Sequence, residues 1–211
     1  MVVYEILIVM NIFFDLDGTL IDSRDRLYKL FQYLVVESQL SFDNYWDFKR
    51  NKINHTAILT NHFNYSALLI KEFERDWMAN IEMSEWLGLD KPFDGVSDFL
   101  KQLSKQHDLY VVTARQFEGT AFQQIESFGW QGIFKKVFVT QQKKEKHELI
   151  NSAITIDKND WFVGDTGKDI QTGKQLGIRT AAVLSGFLNE NMLVQYDPDV
   201  IVDSVINLNF A

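Results

Sequence analysis

Two aspartates, Asp15 and Asp17, stand one residue apart at the end of an apolar run and are followed by a glycine and a threonine. An apolar run that ends at a glycine indicates a short buried strand. Alternate side chains of a strand share a face, so the two carboxylates lie close together and oppose each other's ionisation. A hard divalent cation, Mg²⁺ above all, relieves that repulsion. The spacing predicts a Mg²⁺ site to which Asp15 and Asp17 both contribute.

The chemistry that suits this strand end is phosphoryl transfer. We predict that Asp15 attacks phosphorus to form an aspartyl-phosphate and that Asp17 acts as general acid, then as general base. Gly18 allows a positive-φ turn that brings backbone N–H groups near a phosphate, and Thr19 either supports the turn or packs. The structural alternative for both aspartates is the capping of a turn or helix.

A second acidic pair follows another apolar run at residues 161–164. Asp165 stands at the end of that predicted strand and is expected to join Asp15 around Mg²⁺. Asp169, four residues later, is expected to act on the metal through water. Asp169 also suits the first turn of a helix, where a negative charge is favourable.

Thr113 closes a third apolar run and offers a hydroxyl donor to a phosphoryl oxygen in the transition state. The alternative role is a helix N-cap. Ala114 and Arg115 follow as candidates for phosphate contact, although Arg115 could equally be solvated. A fixed positive charge is still required to offset the negative charge of the phosphoryl oxygens and the nucleophile. We favour Lys146 because it opens a predicted helix, with Lys143 as the second choice.

The order of the predicted elements defines the fold class. Strands are predicted at 12–15, 109–113, 136–140, 161–164, 179–184 and 200–202, and helices lie between the later ones. This alternation predicts an α/β fold, with a parallel sheet covered by helices on both faces. Ligands of such sheets bind at the carboxyl ends of the strands. Residues 21–90 have helical spacing throughout, so we predict a core of 1–20 and 91–211 with an inserted all-helical domain at 21–90.

The amino terminus leaves two interpretations open. Residues 2–9 either extend the first strand or add an edge segment, and Met10 is an alternative start. The apolar stretch is too short for a membrane span and lacks the features of a signal peptide. We therefore expect a cytoplasmic protein with no membrane partner.

The composition excludes several classes of function. The 211 residues carry a net charge of −8, which argues against a general nucleic-acid binder. The chain has no cysteine, so disulfides and thiolate chemistry are excluded. No glycine-rich nucleotide-binding motif is present.

Four motifs occur in order: Asp15-x-Asp17-Gly18-Thr19, Thr113, a lysine within 143–146, and Gly164-Asp165-x-x-x-Asp169. The set resembles the haloacid-dehalogenase-like (HAD) hydrolase superfamily, and residues 177–183 and 197–199 are similar to its phosphoglycolate-phosphatase-like branch. The resemblance implies a Rossmann-like core, a helical cap between the first and second motifs, and Mg²⁺ held partly by the backbone carbonyl of Asp17. This chain departs from many members of the superfamily, because it has no Lys-Pro at the third motif.

The resemblance also narrows the reaction, because dehalogenases of this superfamily lack the second aspartate. Asp17 therefore indicates a Mg²⁺-dependent phosphatase that acts on a small phosphate monoester. The alternatives are a sugar-phosphate mutase with the same nucleophile and a catalytically silent binding homologue. The expected partner is a small phosphorylated metabolite, and the expected assembly is a monomer or homodimer. Lys49, Arg50 and Lys52 either meet an anionic substrate or form a solvated helix face.

Overall fold

A computed structural model of the chain describes residues 9–210. Its strands are β1 (Asn11–Phe14), β2 (Ile21–Asp22), β3 (Lys91–Pro92), β4 (Asp108–Thr113), β5 (Lys136–Val139), β6 (Trp161–Gly164), β7 (Arg179–Val183) and β8 (Val200–Val202). Its α-helices are α1 (Arg24–Leu34), α2 (Phe42–Arg50), α3 (His55–Phe63), α4 (Ala67–Asn80), α5 (Ser84–Leu87), α6 (Val96–Leu103), α7 (Glu118–Ser127), α8 (Lys146–Asn151), α9 (Gly167–Leu176) and α10 (Glu190–Leu193). None of the helices in this part of the chain has the length and apolar character needed to cross a membrane.

Six strands form one parallel sheet in the order β5-β4-β1-β6-β7-β8. Their side chains alternate between two apolar clusters, so the sheet is buried on both faces. Phe14 and Val111 belong to one cluster, whereas Phe13 and Val112 belong to the other. The predicted α/β fold with a Rossmann-like parallel core is confirmed.

The register of the central strands brings the predicted site residues to one edge of the sheet. Phe14, the last residue of β1, lies opposite Val111 of β4 and Val163 of β6. Because the strands are parallel, Asp15, Thr113 and Asp165 follow at the same carboxyl edge.

Helices α1 to α5 lie between β2 and β3, and we call them the helical block. They pack around an apolar cluster of their own that includes Phe31, Tyr45, Ile58 and Phe73. Side chains of Ser41, Asn54 and Ser66 accept backbone N–H groups at the starts of α2, α3 and α4. This separate core explains why the helical periodicity was readable in the sequence.

Two features differ from the sequence expectations. Ile21 and Asp22 form a strand, not the start of a helix, and pair antiparallel with Lys91 and Pro92. Two residues are too few to produce a readable alternation, so this ribbon between the sheet and the helical block was missed. Of the predicted segment at 2–9, residues 2–8 lie outside the described residues, and Val9 is exposed and belongs to no strand.

Candidate active site

The predicted nucleophile, Asp15, lies immediately beyond β1 and is fixed by its backbone. Its N–H donates to the carbonyl of Val163 at 2.9 Å, and its side chain is buried. Nζ of Lys146 lies 2.5 Å from Oδ1 of Asp15 and 2.6 Å from Oδ1 of Asp169. Lys146, the first residue of α8, is also buried. A fixed ammonium group therefore stands beside the candidate nucleophile.

Three carboxylates form a compact donor set at this point. Asp15, Asp165 and Asp169 each offer one oxygen, and these oxygens lie within 4.8 Å of one another. Burial raises the pKa of Asp15 to about 7 although Lys146 opposes the shift. Burial and the neighbouring carboxylates raise the pKa of Asp165 well above its usual value. Such a set of buried oxygen ligands fits a hard divalent cation, which would favour the ionised forms.

Hydrogen bonds from two neighbouring residues hold both oxygens of Asp165 in place. Oγ1 of Thr19 donates to Oδ1 at 3.2 Å, and the N–H of Phe187 donates to Oδ2 at 2.6 Å. A Cβ on Gly18, whose φ is +86°, would lie 2.5 Å from that Oδ2, and a Cβ on Gly186 would lie 2.0 Å from it. Gly18, a candidate for bringing N–H groups near a phosphate, also makes space for Asp165, and Thr19 holds that carboxylate by a hydrogen bond.

Asp169 combines the two roles considered for it. Its Oδ2 accepts from N–H and Oγ1 of Thr166 in a capping box at the start of α9. Its Oδ1 accepts from Lys146. The helix start therefore fixes a carboxylate within the donor set.

Asp17 points away from the donor set and into a ring of buried ion pairs. Arg115 donates to both its oxygens, from Nε at 2.9 Å and from Nη2 at 2.8 Å, and Nη2 of Arg26 also contacts Oδ1. Asp90 closes the ring, 3.0 Å from Nε of Arg26 and 3.3 Å from Nη2 of Arg115. Burial alone would raise the pKa of Asp17, but Arg115 and Arg26 outweigh it and hold the pKa below the ordinary 3.8.

The ring changes the interpretation of Arg115 and adds two residues that sequence reasoning missed. Arg115 was a candidate for phosphate contact or for solvation. It is not solvated, because it is buried against Asp17 and Asp90, and it lines the cavity over Asp15 with an Nη1 that has no hydrogen-bond partner among the described residues. Arg26 lies four residues before Leu30 on the apolar face of α1, and an arginine on such a face is a readable signal. Asp90 offered no signal, because its partners lie far away in the sequence.

An open cavity of about 380 Å³ lies over Asp15, between the sheet edge and the helical block. The sheet side contributes Asp15, Asp17, Thr113, Ala114, Arg115 and Lys146. The helical block contributes Ser23, Arg26, Leu27, Trp77, Met78, Ile81 and Glu82. Lys143, the second choice for the phosphate-site lysine, is exposed and does not line this cavity among the described residues.

The helical block is attached to the sheet side by Glu82. Its carboxylate accepts from N–H of Gln116 at 2.7 Å, from N–H of Phe117 at 3.1 Å and from Oγ1 of Thr120 at 3.4 Å. These groups surround the start of α7, where free N–H donors favour a negative charge. Glu82 therefore supplies a cap to a helix outside its own block.

Comparison with known proteins agrees with this geometry. The family model described as haloacid dehalogenase-like hydrolase matches residues 12–183. The pyrophosphatase PpaX of Halalkalibacterium halodurans is 26% identical over 95% of this chain and 95% of its own. The phosphoglycolate phosphatase of Mesorhizobium japonicum is 24% identical over 90% of this chain and 89% of its own. A haloacid dehalogenase-like hydrolase structure from Streptococcus pneumoniae, 22% identical, covers 93% of this chain and 94% of its own with a TM-score of 0.76.

The chain belongs to the haloacid dehalogenase-like hydrolase family. The family resemblance read from the four motifs is thereby confirmed, and the match to a phosphoglycolate phosphatase supports the predicted branch.

Proposed function

We propose that this protein is a Mg²⁺-dependent phosphatase that hydrolyses a small phosphate monoester through an aspartyl-phosphate. The observation that carries the proposal is the pairing of buried Asp15 with buried Lys146 in a cavity between the sheet edge and the helical block. A carboxylate in such a position can attack phosphorus, and a fixed ammonium beside it can balance the charge of the phosphoryl oxygens. The names of the two relatives, a pyrophosphatase and a phosphoglycolate phosphatase, agree with cleavage of a phosphoryl bond.

The phosphoryl group is proposed to sit between Asp15, Lys146 and Thr113. Asp15 supplies the attacking oxygen, and the Lys146 ammonium with the Thr113 hydroxyl bind the non-bridging oxygens as their charge grows. All three residues line the cavity, and the sheet register fixes Asp15 and Thr113 on neighbouring strands. Preorganised donors of this kind lower the barrier because they need no rearrangement during the reaction.

Asp15, Asp165 and Asp169 would hold the Mg²⁺, together with the backbone carbonyl of Asp17 that the family resemblance implies. When bound, the cation supplies Lewis-acid stabilisation of the phosphoryl oxygens. Thr19 and Phe187 keep Asp165 in one orientation through their hydrogen bonds to its two oxygens.

Asp17 is proposed to handle protons on the leaving-group side. Its two arginine partners favour the carboxylate form, which suits a general base that activates water against the aspartyl-phosphate. In the first step a protonated Asp17 would give its proton to the leaving oxygen, and in the second step the carboxylate would take one from the attacking water, so the side chain regains its starting form. The two arginines oppose that protonated form.

Residues 21–90 are proposed to act as a cap that closes over the bound substrate and excludes water. The contacts of Glu82 and Arg26 with groups outside the helical block hold it against the sheet edge. The cap residues that line the cavity would contact the leaving group and so set specificity.

Turnover of 4-nitrophenyl phosphate tests the proposal. Asp15→Asn is expected to lose at least about 10³-fold in kcat, and EDTA should abolish activity until Mg²⁺ is restored. Asp25→Asn, an exposed acid on α1, is the matched control and should retain activity. An active Asp15→Asn enzyme contradicts the nucleophile assignment. Isomer interconversion of sugar phosphates without phosphate release would favour the mutase alternative.

A further inference from the structure

Residues 184–189, which follow β7 and lead into α10, form a loop between the helical block and Asp165. We call it the 184–189 loop. At its middle, the N–H of Phe187 donates to Oδ2 of Asp165 at 2.6 Å. A Cβ on the preceding Gly186 would lie 2.0 Å from the same oxygen, so the backbone approaches as closely as a side chain allows. The position of the loop therefore determines where this carboxylate oxygen lies.

Arg50, the last residue of α2, contacts both ends of the 184–189 loop. Its Nη1 donates to the carbonyl of Leu184 at 3.2 Å, and its own carbonyl accepts from the N–H of Asn189 at 3.1 Å. Nδ2 of Asn189 also donates to Oδ1 of Asn51 at 3.0 Å. One residue of the helical block thus joins the two ends of the loop, through its side chain at one end and its backbone at the other.

An aromatic contact links α2 to the middle of the same loop. The rings of Trp46 and Phe187 lie 5.4 Å apart, centroid to centroid, and Trp46 is buried. Trp46 precedes Arg50 by four residues, so both side chains lie on one face of α2. Because the N–H of Phe187 holds Asp165, this face of α2 supports the loop at its ends and at the residue that contacts the carboxylate.

The surroundings of Arg50 differ from both alternatives that the sequence left open for it. The residue is half-buried, its guanidinium donates to a backbone carbonyl, and it is not among the described residues that line the cavity over Asp15. The helical block has other attachments, since Glu82 contacts the start of α7 and Nζ of Lys52 donates to the hydroxyl of Tyr196 at 2.6 Å. Removal of the guanidinium should therefore loosen the 184–189 loop without detaching the block.

We propose that Arg50 is a positioning residue for Mg²⁺ binding. From the helical block it holds the 184–189 loop where the N–H of Phe187 fixes Asp165 within the donor set. This inference rests on the proposed function, which places Mg²⁺ at Asp165. Groups that contact a metal ligand directly are worth about 10–100-fold in metal affinity, and Arg50 acts one contact further away, so we expect an effect of about fivefold or more.

The amide signal of Phe187 tests the inference directly, because this N–H is the one that holds Asp165. Labelling with ¹⁵N-phenylalanine makes it visible, and Phe187→Leu assigns it. In the metal-free protein, Arg50→Met should move the amide proton upfield as its hydrogen bond to the carboxylate weakens. Titration with MgCl₂ gives a dissociation constant that should rise about fivefold or more. A constant within about twofold of the wild type in Arg50→Met overturns the inference.

Two further variants separate positioning from a general structural effect. Arg50→Lys retains a charged donor for the carbonyl of Leu184 and should recover most of the Mg²⁺ affinity. Arg75→Met removes an exposed arginine from α4 of the same block and should change neither the amide signal nor the dissociation constant. Equal losses of affinity in Arg50→Met and Arg75→Met would show an effect of net charge and refute the positioning role.

A double-mutant cycle with Gly186→Ala tests the route through Asp165. The added Cβ displaces this carboxylate directly. In that background, Arg50→Met should raise the Mg²⁺ dissociation constant by less than about twofold, because both changes act on the same ligand. Independent losses that multiply would show that Arg50 affects Mg²⁺ by another route, which contradicts the inference.

The positioning role and the phosphatase proposal fail in different ways. Hydrolysis of 4-nitrophenyl phosphate by a wild type whose Mg²⁺ affinity does not depend on Arg50 refutes the positioning role alone. Arg50-dependent Mg²⁺ binding in a protein that hydrolyses no phosphate ester refutes the phosphatase proposal alone. A wild type that binds no Mg²⁺ refutes the positioning role, and hydrolysis in EDTA then shows whether the protein is a phosphatase without the cation.

Discussion

Nζ of Lys146 lies 2.5 Å from Oδ1 of Asp15, although 131 residues separate them in the chain. Each residue is fixed by a different element, since Asp15 follows β1 and Lys146 begins α8. The same ammonium contacts Asp169, so one buried cation faces two of the three carboxylates of the donor set. Both the charge balance of the site and its chemistry depend on this lysine.

Lys146→Met should remove activity and weaken the fold. Loss of a positioned donor to the phosphoryl oxygens lowers kcat by about 10²-fold or more. Loss of one partner of a buried ion pair leaves carboxylates uncompensated and costs about 3–5 kcal/mol in the free energy of unfolding. Kinetics with 4-nitrophenyl phosphate and urea unfolding measure the two effects.

Lys143→Met is the control for that prediction, because Lys143 is exposed and is the other lysine that the sequence left open. It should change kcat less than twofold and leave unfolding unaffected. A larger loss in Lys143→Met than in Lys146→Met would reverse the lysine assignment.

The sequence predicts the residues that the sheet itself positions. Asp15, Thr113 and Asp165 follow apolar strands, and the carboxyl ends of parallel strands meet at one edge. No pairing between helices is needed for that argument. The order of the motifs and the alternation of strands and helices were therefore sufficient for the fold class and for this part of the candidate site.

Contacts between the helical block and the sheet side were not predictable. Arg26 forms an ion pair with Asp90, 64 residues away in the sequence. Glu82 accepts hydrogen bonds at the start of α7, more than 30 residues away. Such pairs depend on the angle at which the block packs, which no local pattern in the sequence records. Gly186 was also missed, because its requirement for a small residue exists only where Asp165 approaches it.

Arg115→Met should destabilise the protein in a pH-dependent way. Asp17 has a folded pKa below its ordinary 3.8, so its ion pairs contribute stability that is present above that value and is lost as the pH falls through the folded pKa. The variant should lose about 3 kcal/mol or more at pH 7. The difference from wild type should shrink as the pH falls to 4 and below, because without Arg115 the folded carboxyl of Asp17 binds a proton at a higher pH than it does in the wild type. Urea unfolding at pH 7, 5 and 4 measures it.

Arg75→Met is the control for the loss of an arginine. Arg75 pairs with Asp76 on the exposed surface of α4, where such pairs contribute little. Its unfolding midpoint should match the wild type at every pH. A pH-independent loss in Arg115→Met would show that Arg115 stabilises by packing and not through the charge of Asp17.

Gly186→Ala should weaken Mg²⁺ binding without unfolding the protein. The added Cβ would lie 2.0 Å from Oδ2 of Asp165, so the carboxylate must move out of the donor set. We expect the Mg²⁺ concentration for half-maximal activity to rise at least about tenfold, the usual lower bound for disturbing the support of a metal ligand. Gly119→Ala, on α7 with nothing within 4 Å of the new Cβ, should leave Mg²⁺ dependence unchanged and raise stability by about 0.5–1 kcal/mol. Equal Mg²⁺ dependence in both variants would place the cation away from Asp165.

Mg²⁺ affinity should rise with pH up to neutrality. The folded pKa of Asp15 is about 7 without a cation, above the 3.8 of the unfolded chain. This carboxyl therefore stabilises the metal-free fold fully below pH 3.8, and the contribution is lost as the pH rises through 7. Mg²⁺ requires the ionised forms, so binding releases a proton from Asp15 and also from Asp165, whose pKa is raised as well. The apparent affinity should therefore increase at least about tenfold per pH unit below 7. Mg²⁺-induced shifts of Tm at pH 6 and 8 measure the difference, and calorimetry in buffers of different ionisation enthalpy counts the released protons. Asp15→Asn should reduce the dependence to the contribution of Asp165, because one of the two titrating ligands is gone. Equal Mg²⁺ affinity at pH 6 and 8 in the wild type would exclude Asp15 as a ligand.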